Sequence, residues 1–180
     1  MKAILNLVLT VLIISSVGFS QSGKKYEQPI LVTSAGQSAD VVLAGMILKK
    51  MNLNYKIKPL AKENELDGIK TLIIVPGFSS KGLGAAGISR EQEKTRITNL
   101  ISAAKRLNIK IVMLHIGGTA RRGQQSDDFN ELSAEASSDM IVVKQGDEDK
   151  FFTNIASTKK IKIQIVEKIA AVTEALKKIF

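Results

Sequence analysis

Four short, almost wholly apolar runs constrain this chain more than any other feature: Ile30-Leu31-Val32, Leu72-Ile73-Ile74-Val75, Ile109 to Ile116, and Met140 to Val143. A strand that faces water on one side alternates apolar with polar residues, whereas one covered on both sides reads as a continuous apolar run. Lys110 is the single charge within these runs. The stretches between them carry helical spacing. Ala39, Val42, Leu43, Met46 and Ile47 mark one helix, and Ile97, Leu100, Ile101, Ala104 and Leu107 mark another. Ser89 and Gln92 stand at capping-box spacing ahead of the second.

Strands that alternate with helices imply right-handed crossovers and a parallel sheet. Tyr55-Lys56-Ile57-Lys58-Pro59 alternates and ends in proline, which suits an edge strand. Pro76 to Ile88 reads as a Gly-rich loop, and Ser126, Asp127 and Asp128 as caps of a helix holding Phe129 and Leu132. Phe151 to Ala156 reads as a short helix. Ile165, Val166, Ile169, Thr173, Leu176 and Phe180 fit one stripe of a C-terminal helix. The expected architecture is a three-layer α/β domain on a five-stranded, mainly parallel sheet of order 2-1-3-4-5, the flavodoxin-like arrangement, over residues 29–180.

The first residues predict a signal peptide over residues 1–20: Lys2, an apolar run from Ala3 to Ile14, then small polar residues up to a cleavage after Ser20. The run is too short to span a bilayer. A polar linker, 21–28, would follow, and the product is expected to be exported, periplasmic or extracellular, with no stable membrane insertion. The chain has no cysteine, so disulfides and thiol catalysis are excluded. One histidine and no cysteine argue against zinc, and helix capping explains Asp127 and Asp128 more simply than magnesium does. Net charge is +9, but the lysines are scattered in sequence and stacking aromatics are few, so nucleic acid is not an expected partner.

In such sheets ligands bind beyond the strand carboxyl ends, near the point where strand order reverses. Three loops would meet there: Thr33 to Asp40, Pro76 to Ile88, and His115 to Asp128. Candidate ligand-binding residues are Ser34, Gly36, Gln37 and Ser38 from the first, Gly77, Phe78 and Ser79 from the second, and Gly117, Gly118, Thr119, Arg121 and Arg122 from the third. Small residues let backbone amides approach a ligand, and the paired arginines suit a carboxylate or phosphate. The same glycines and serines also serve tight strand-to-helix turns, and the arginines could instead pair with Asp127, Asp128 or Glu131. His115 could face this crevice or sit in the core with a hydrogen-bond partner.

Thr33-Ser34-Ala35-Gly36-Gln37-Ser38 resembles the flavodoxin phosphate loop. It lacks a hydroxyl at Ala35, and Phe78 is the lone candidate flavin-sandwiching aromatic, so no cofactor is expected and FMN is a minor alternative. Asp67 to Gly77 is similar to a strand and loop of class I glutamine amidotransferase-like families, whose nucleophilic cysteine is missing. The run from His115 to Gly123, with Ser126-Asp127, resembles a family of exported bacterial domains of unknown function, with G-G-x-x-R-R-G as its loop. The functional expectation is an exported domain that binds a small anion, with a transporter, sensor or other envelope protein as its partner. The alternatives are a hydrolase or transferase using Ser34, Ser38 or Ser79 with His115, and a protein-interaction module.

Overall fold

The computed structural model describes residues 25–180. The expected signal peptide and the first part of the linker lie outside the described residues. Six parallel strands form one sheet: β1 (Ile30–Ala35), β2 (Tyr55–Ile57), β3 (Thr71–Pro76), β4 (Lys110–His115), β5 (Asp139–Val143) and β6 (Lys162–Val166). Their order is β2-β1-β3-β4-β5-β6, so the expected order holds for the first five and a sixth strand extends it. β1 pairs with β3 along its whole length, from Ile30 opposite Thr71 to Ala35 opposite Pro76. Strand order reverses between these two.

Six helices cover the sheet: α1 (Asp40–Lys50), α2 (Ser80–Ala86), α3 (Arg90–Arg106), α4 (Gln124–Ala136), α5 (Phe151–Lys159) and α6 (Val172–Lys177). Alternate strand residues divide the core. Ile30, Val32, Ile73, Val75, Val112 and Leu114 pack on α1 and α6. On the opposite face, Leu31, Leu72, Ile74 and Ile111 meet α3 and α4, and Met113, Met140 and Val142 meet α5. Burying each such side chain contributes about 1.5–3 kcal/mol, which is why continuous apolar runs settle inside a doubly covered sheet.

Four expectations need correction. Lys162–Val166 is a strand, not part of a C-terminal helix, and only Val172–Lys177 is α-helical there. Ile163 and Ile165 alternate with Lys162 and Gln164, the period of an edge strand with one face toward α5. The Gly-rich loop holds a helix, α2, with Ser79 as its N-cap and Gly87 as its left-handed C-cap. Thr33, Ser34 and Ala35 continue β1 instead of leaving it. Gly123 precedes α4, so Ser126 and Asp127 lie inside its first turn, where Asp127 Oδ2 still accepts from Gly123 N.

Candidate functional site

The turns after β1, β3 and β4 come together at the strand carboxyl ends, but largely to bond one another. Gly77 N donates to Ala35 O at 2.9 Å and Ser79 N to Gly36 O at 2.8 Å. Ser79 Oγ accepts from Gly82 N, and Ser38 Oγ from Asp40 N. Phe78 N donates to Ser126 Oγ at 3.1 Å. A Cβ on Gly36 would stand 2.7 Å from Gly77 O, so Gly36 is required by this closure.

The crevice is held from below by a buried ion pair. Glu93 is fully buried, and its Oε1 accepts from Gly36 N and Gln37 Nε2, both at 2.9 Å. Arg96 closes on the same carboxylate through Nε, 2.7 Å to Oε2, and Nη2, 2.8 Å to Oε1. Its guanidinium also donates to Ser34 O and Ala61 O. The sequence carried a signal for this: Glu93 stands at i, i+4, i+7 with Ile97 and Leu100, on the apolar stripe of α3. A carboxylate on such a stripe calls for a buried partner.

The two arginines differ. Every N–H of Arg122 is used: Nε on Asp127 Oδ1 at 2.8 Å, Nη1 on Gly146 O and Asp149 Oδ1, and Nη2 on Asp127 Oδ2 and Asp149 Oδ2. Its guanidinium carbon also lies 4.4 Å from the centre of the Phe151 ring. The Asp149 hydrogen bonds push the guanidinium pKa up, and Arg122 holds the Asp149 carboxyl at about 2. The cavity beside it, about 290 Å³, is lined by Arg122, Thr119 and Gln145 with the carboxylates Asp127, Glu148 and Asp149. Carboxylates outnumber cations there, so an anion entering it meets repulsion.

Arg121 runs between two of the expected glycines. A Cβ on Gly117 would lie 2.1 Å from its Cγ, and one on Gly77 would lie 2.8 Å from its Cδ. Arg121 Nε donates to Asp40 Oδ2 at 3.1 Å and Nη1 to Phe78 O at 3.3 Å. Three of its N–H groups have no acceptor among the described residues, and the side chain is 26% exposed. Gly118 has φ +57° and turns toward the Gln145 side chain.

His115 lies in the core. It is fully buried, 4.7 Å from the Phe152 ring centre, with Nε2 at 3.2 Å from Arg121 O. A carbonyl can only accept, so Nε2 carries the proton and Nδ1 is a bare acceptor without a partner among the described residues. Burial lowers its pKa. Ser34 follows Ile30 and Val32 toward α1, whereas His115 follows Ile111 and Met113 toward the other face. Alternation along the strands therefore separates Ser34 from His115, and Ser38 and Ser79 are engaged as above. Serine and histidine are not brought together. Among the described residues, no three His, Cys, Asp or Glu side chains cluster as a metal site, and no helix is long and apolar enough to cross a membrane.

A family profile described as a domain of unknown function (DUF6305) matches residues 27–180. The chain belongs to this family. The matched residues take in all six strands of the DUF6305 domain and the whole of the crevice. No curated protein is significantly similar to the chain. Among solved structures, AlinE4, a SGNH-hydrolase family esterase, aligns with a TM-score of 0.31 and 11% identity over 76% of this chain and 75% of that one. A serine-to-alanine mutant of the esterase gives 0.31 and 11% over 84% and 92%. An aspartate-to-alanine mutant gives 0.30 and 12% over 76% and 75%. Alignments this loose carry no chemistry to the DUF6305 domain.

Proposed function

We propose that this is an exported binding module that takes a small carboxylate or phosphate compound at the crevice beyond β1, β3 and β4, as an accessory to a transporter or sensor. The observation that carries the reading is the state of Arg121. It is held in place through Nε and one Nη1 hydrogen, yet keeps three N–H groups and partial exposure at the point of strand reversal. That is a preorganised fork for an oxygen anion. Asp40 offsets part of its charge, which favours a compound with a single anionic group over a polyphosphate. Arg122 is not part of this fork, since its donors are occupied by Asp127, Asp149 and Gly146 O.

The test is thermal unfolding of the protein against a panel of small carboxylates, inorganic phosphate, nucleotides and FMN, with Arg121→Lys in parallel. A ligand at about 100 times its Kd stabilises the fold by about 2.7 kcal/mol. A midpoint shift confined to small anions and lost in Arg121→Lys supports the reading. No shift with any compound overturns it.

A further inference from the structure

Every strand runs the same way and the crossover helices return against them, so helix C-termini gather at the pole where the strands begin. The carbonyl end of a helix favours cations. Lys49 and Lys50 close α1, Lys105 and Arg106 close α3, Lys159 closes α5 and Lys177 closes α6. Lys70, Lys110 and Lys162 stand at the starts of β3, β4 and β6 on the same pole. All these side chains are exposed, and among the described residues only Lys159 and Lys177 of them form ion pairs, with Glu135 and Glu174. Glu27, beside the start of β3, and Asp67, just before it, are the exposed carboxylates that oppose them without such a pairing. The acidic first turns, with Asp40, Glu91 and Asp127, lie at the opposite pole. Lysines dispersed along the sequence thus become one basic surface, a consequence of topology.

Two features give this surface a chemistry. A crevice of about 270 Å³ between the starts of β4 and β5 is lined by Lys105, Asn108, Lys110 and Ser138, with no carboxylate in its wall. Leu107, which follows the last turn of α3, is 58% exposed among these cations. We propose that this pole docks the domain on an anionic phospholipid bilayer, with a lipid phosphate between Lys105 and Lys110 and Leu107 entering the interface. Cations from both helical layers suit a plane of mobile headgroups, and an apolar side chain amid cations suits the headgroup boundary. A single-stranded nucleic acid would need stacking aromatics, and Tyr26 and Phe180 at this pole are buried. The chain also enters the domain here: Lys25 N and Tyr26 N both donate to Ile179 O, and Lys25 pairs with Asp139 at the start of β5. Docking in this sense turns the Arg121 crevice away from the bilayer.

The experiment is sedimentation of the full chain with vesicles of phosphatidylcholine alone or with about one-third phosphatidylglycerol, at low and high salt. The readout is the anionic-over-neutral partition ratio of each variant relative to that of the unmodified chain, a comparison in which whatever residues 1–24 add is common to both. Each cation near such a surface contributes about 1 kcal/mol, or about fivefold. Lys105→Ala/Lys110→Ala is therefore expected to lower the ratio about 25-fold with an unchanged thermal midpoint. Leu107→Ser is expected to weaken binding to the anionic vesicles while leaving any binding to a DNA duplex unaltered. A ratio near one for the unmodified chain overturns the proposal. So does a Leu107→Ser variant that binds anionic vesicles as well as the parent, or equal competition by duplex DNA, which would make the pole a general polyanion surface.

Discussion

Arg121 Nε donates to Asp40 Oδ2 at 3.1 Å, tying the turn after β4 to the first turn of α1 across the end of β3. The Arg121 stem fills the space left by Gly77 and Gly117. The crevice that a nucleotide would occupy in other doubly wound sheets is therefore partly filled by the chain itself.

Gly117→Ala is expected to displace Arg121, because the new methyl would stand 2.1 Å from its Cγ and 2.5 Å from Asp40 Oδ2. Overpacking of this kind costs about 1–3 kcal/mol. In urea unfolding, Arg121→Ala combined with Gly117→Ala should cost less than the two single changes added together. Strict additivity would show that the two residues do not compete for space.

Glu93→Ala would strand the Arg96 guanidinium, with its side chain 9% exposed, against the end of β1. Removing one partner of a buried pair costs about 3–5 kcal/mol. Glu93→Ala/Arg96→Ala should recover part of that loss, and a double-mutant cycle reads the coupling directly.

Arg122→Lys is not a conservative change here. A lysine keeps the charge but cannot bridge Asp127, Asp149 and Gly146 O together, nor lie flat on Phe151. A loss of about 1–3 kcal/mol is expected by chemical denaturation, with the far-ultraviolet circular dichroism of the folded protein unaltered. A variant as stable as the parent would show that the network contributes nothing net.

His115 gives stability a pH dependence of definite sign. Its folded pKa is depressed by burial below the ordinary value of 6.5, so the unfolded chain takes up the proton first. Stability from this group is complete above about 6.5 and falls as pH drops from there toward the folded pKa, at no more than about 1.4 kcal/mol per pH unit. His115→Gln should flatten the profile of unfolding free energy in that window. An unchanged slope in the variant would assign it to other groups.

The central strands were legible because a sheet covered on both faces leaves runs such as Leu72 to Val75 with no polar residue at all. β6 was not, since Lys162-Ile163-Gln164-Ile165-Val166 is half polar, and α5 before it ends at Lys160 in a left-handed conformation (φ +56°) without the glycine that usually announces such an end. α2 was hidden by Gly82 and Gly84, weak helix formers. Gly82 is needed because a Cβ there would lie 2.0 Å from Gln37 O. The rule about strand ends brought the three candidate segments to one edge of the sheet, although Thr33 to Ala35 belong to β1 and Ser80–Ala86 to α2. What sequence could not give was the use of each arginine, because that depends on Asp40, Gly146 and Asp149, which approach only in three dimensions. The basic pole was hidden for the same reason, since its lysines come from separate elements far apart in the chain.

The all-parallel sheet also bears on how the molecule comes together from an extended chain. No two neighbouring strands are joined by a hairpin, and each must wait for a crossover to be traversed before it can pair. β1 contacts β3 only after α1 and β2 have been threaded past, so loop-closure entropy precedes most of the reward. Folding is accordingly expected to be slow for a chain of this size, a long interval in which edge strands and apolar runs lie open to other molecules.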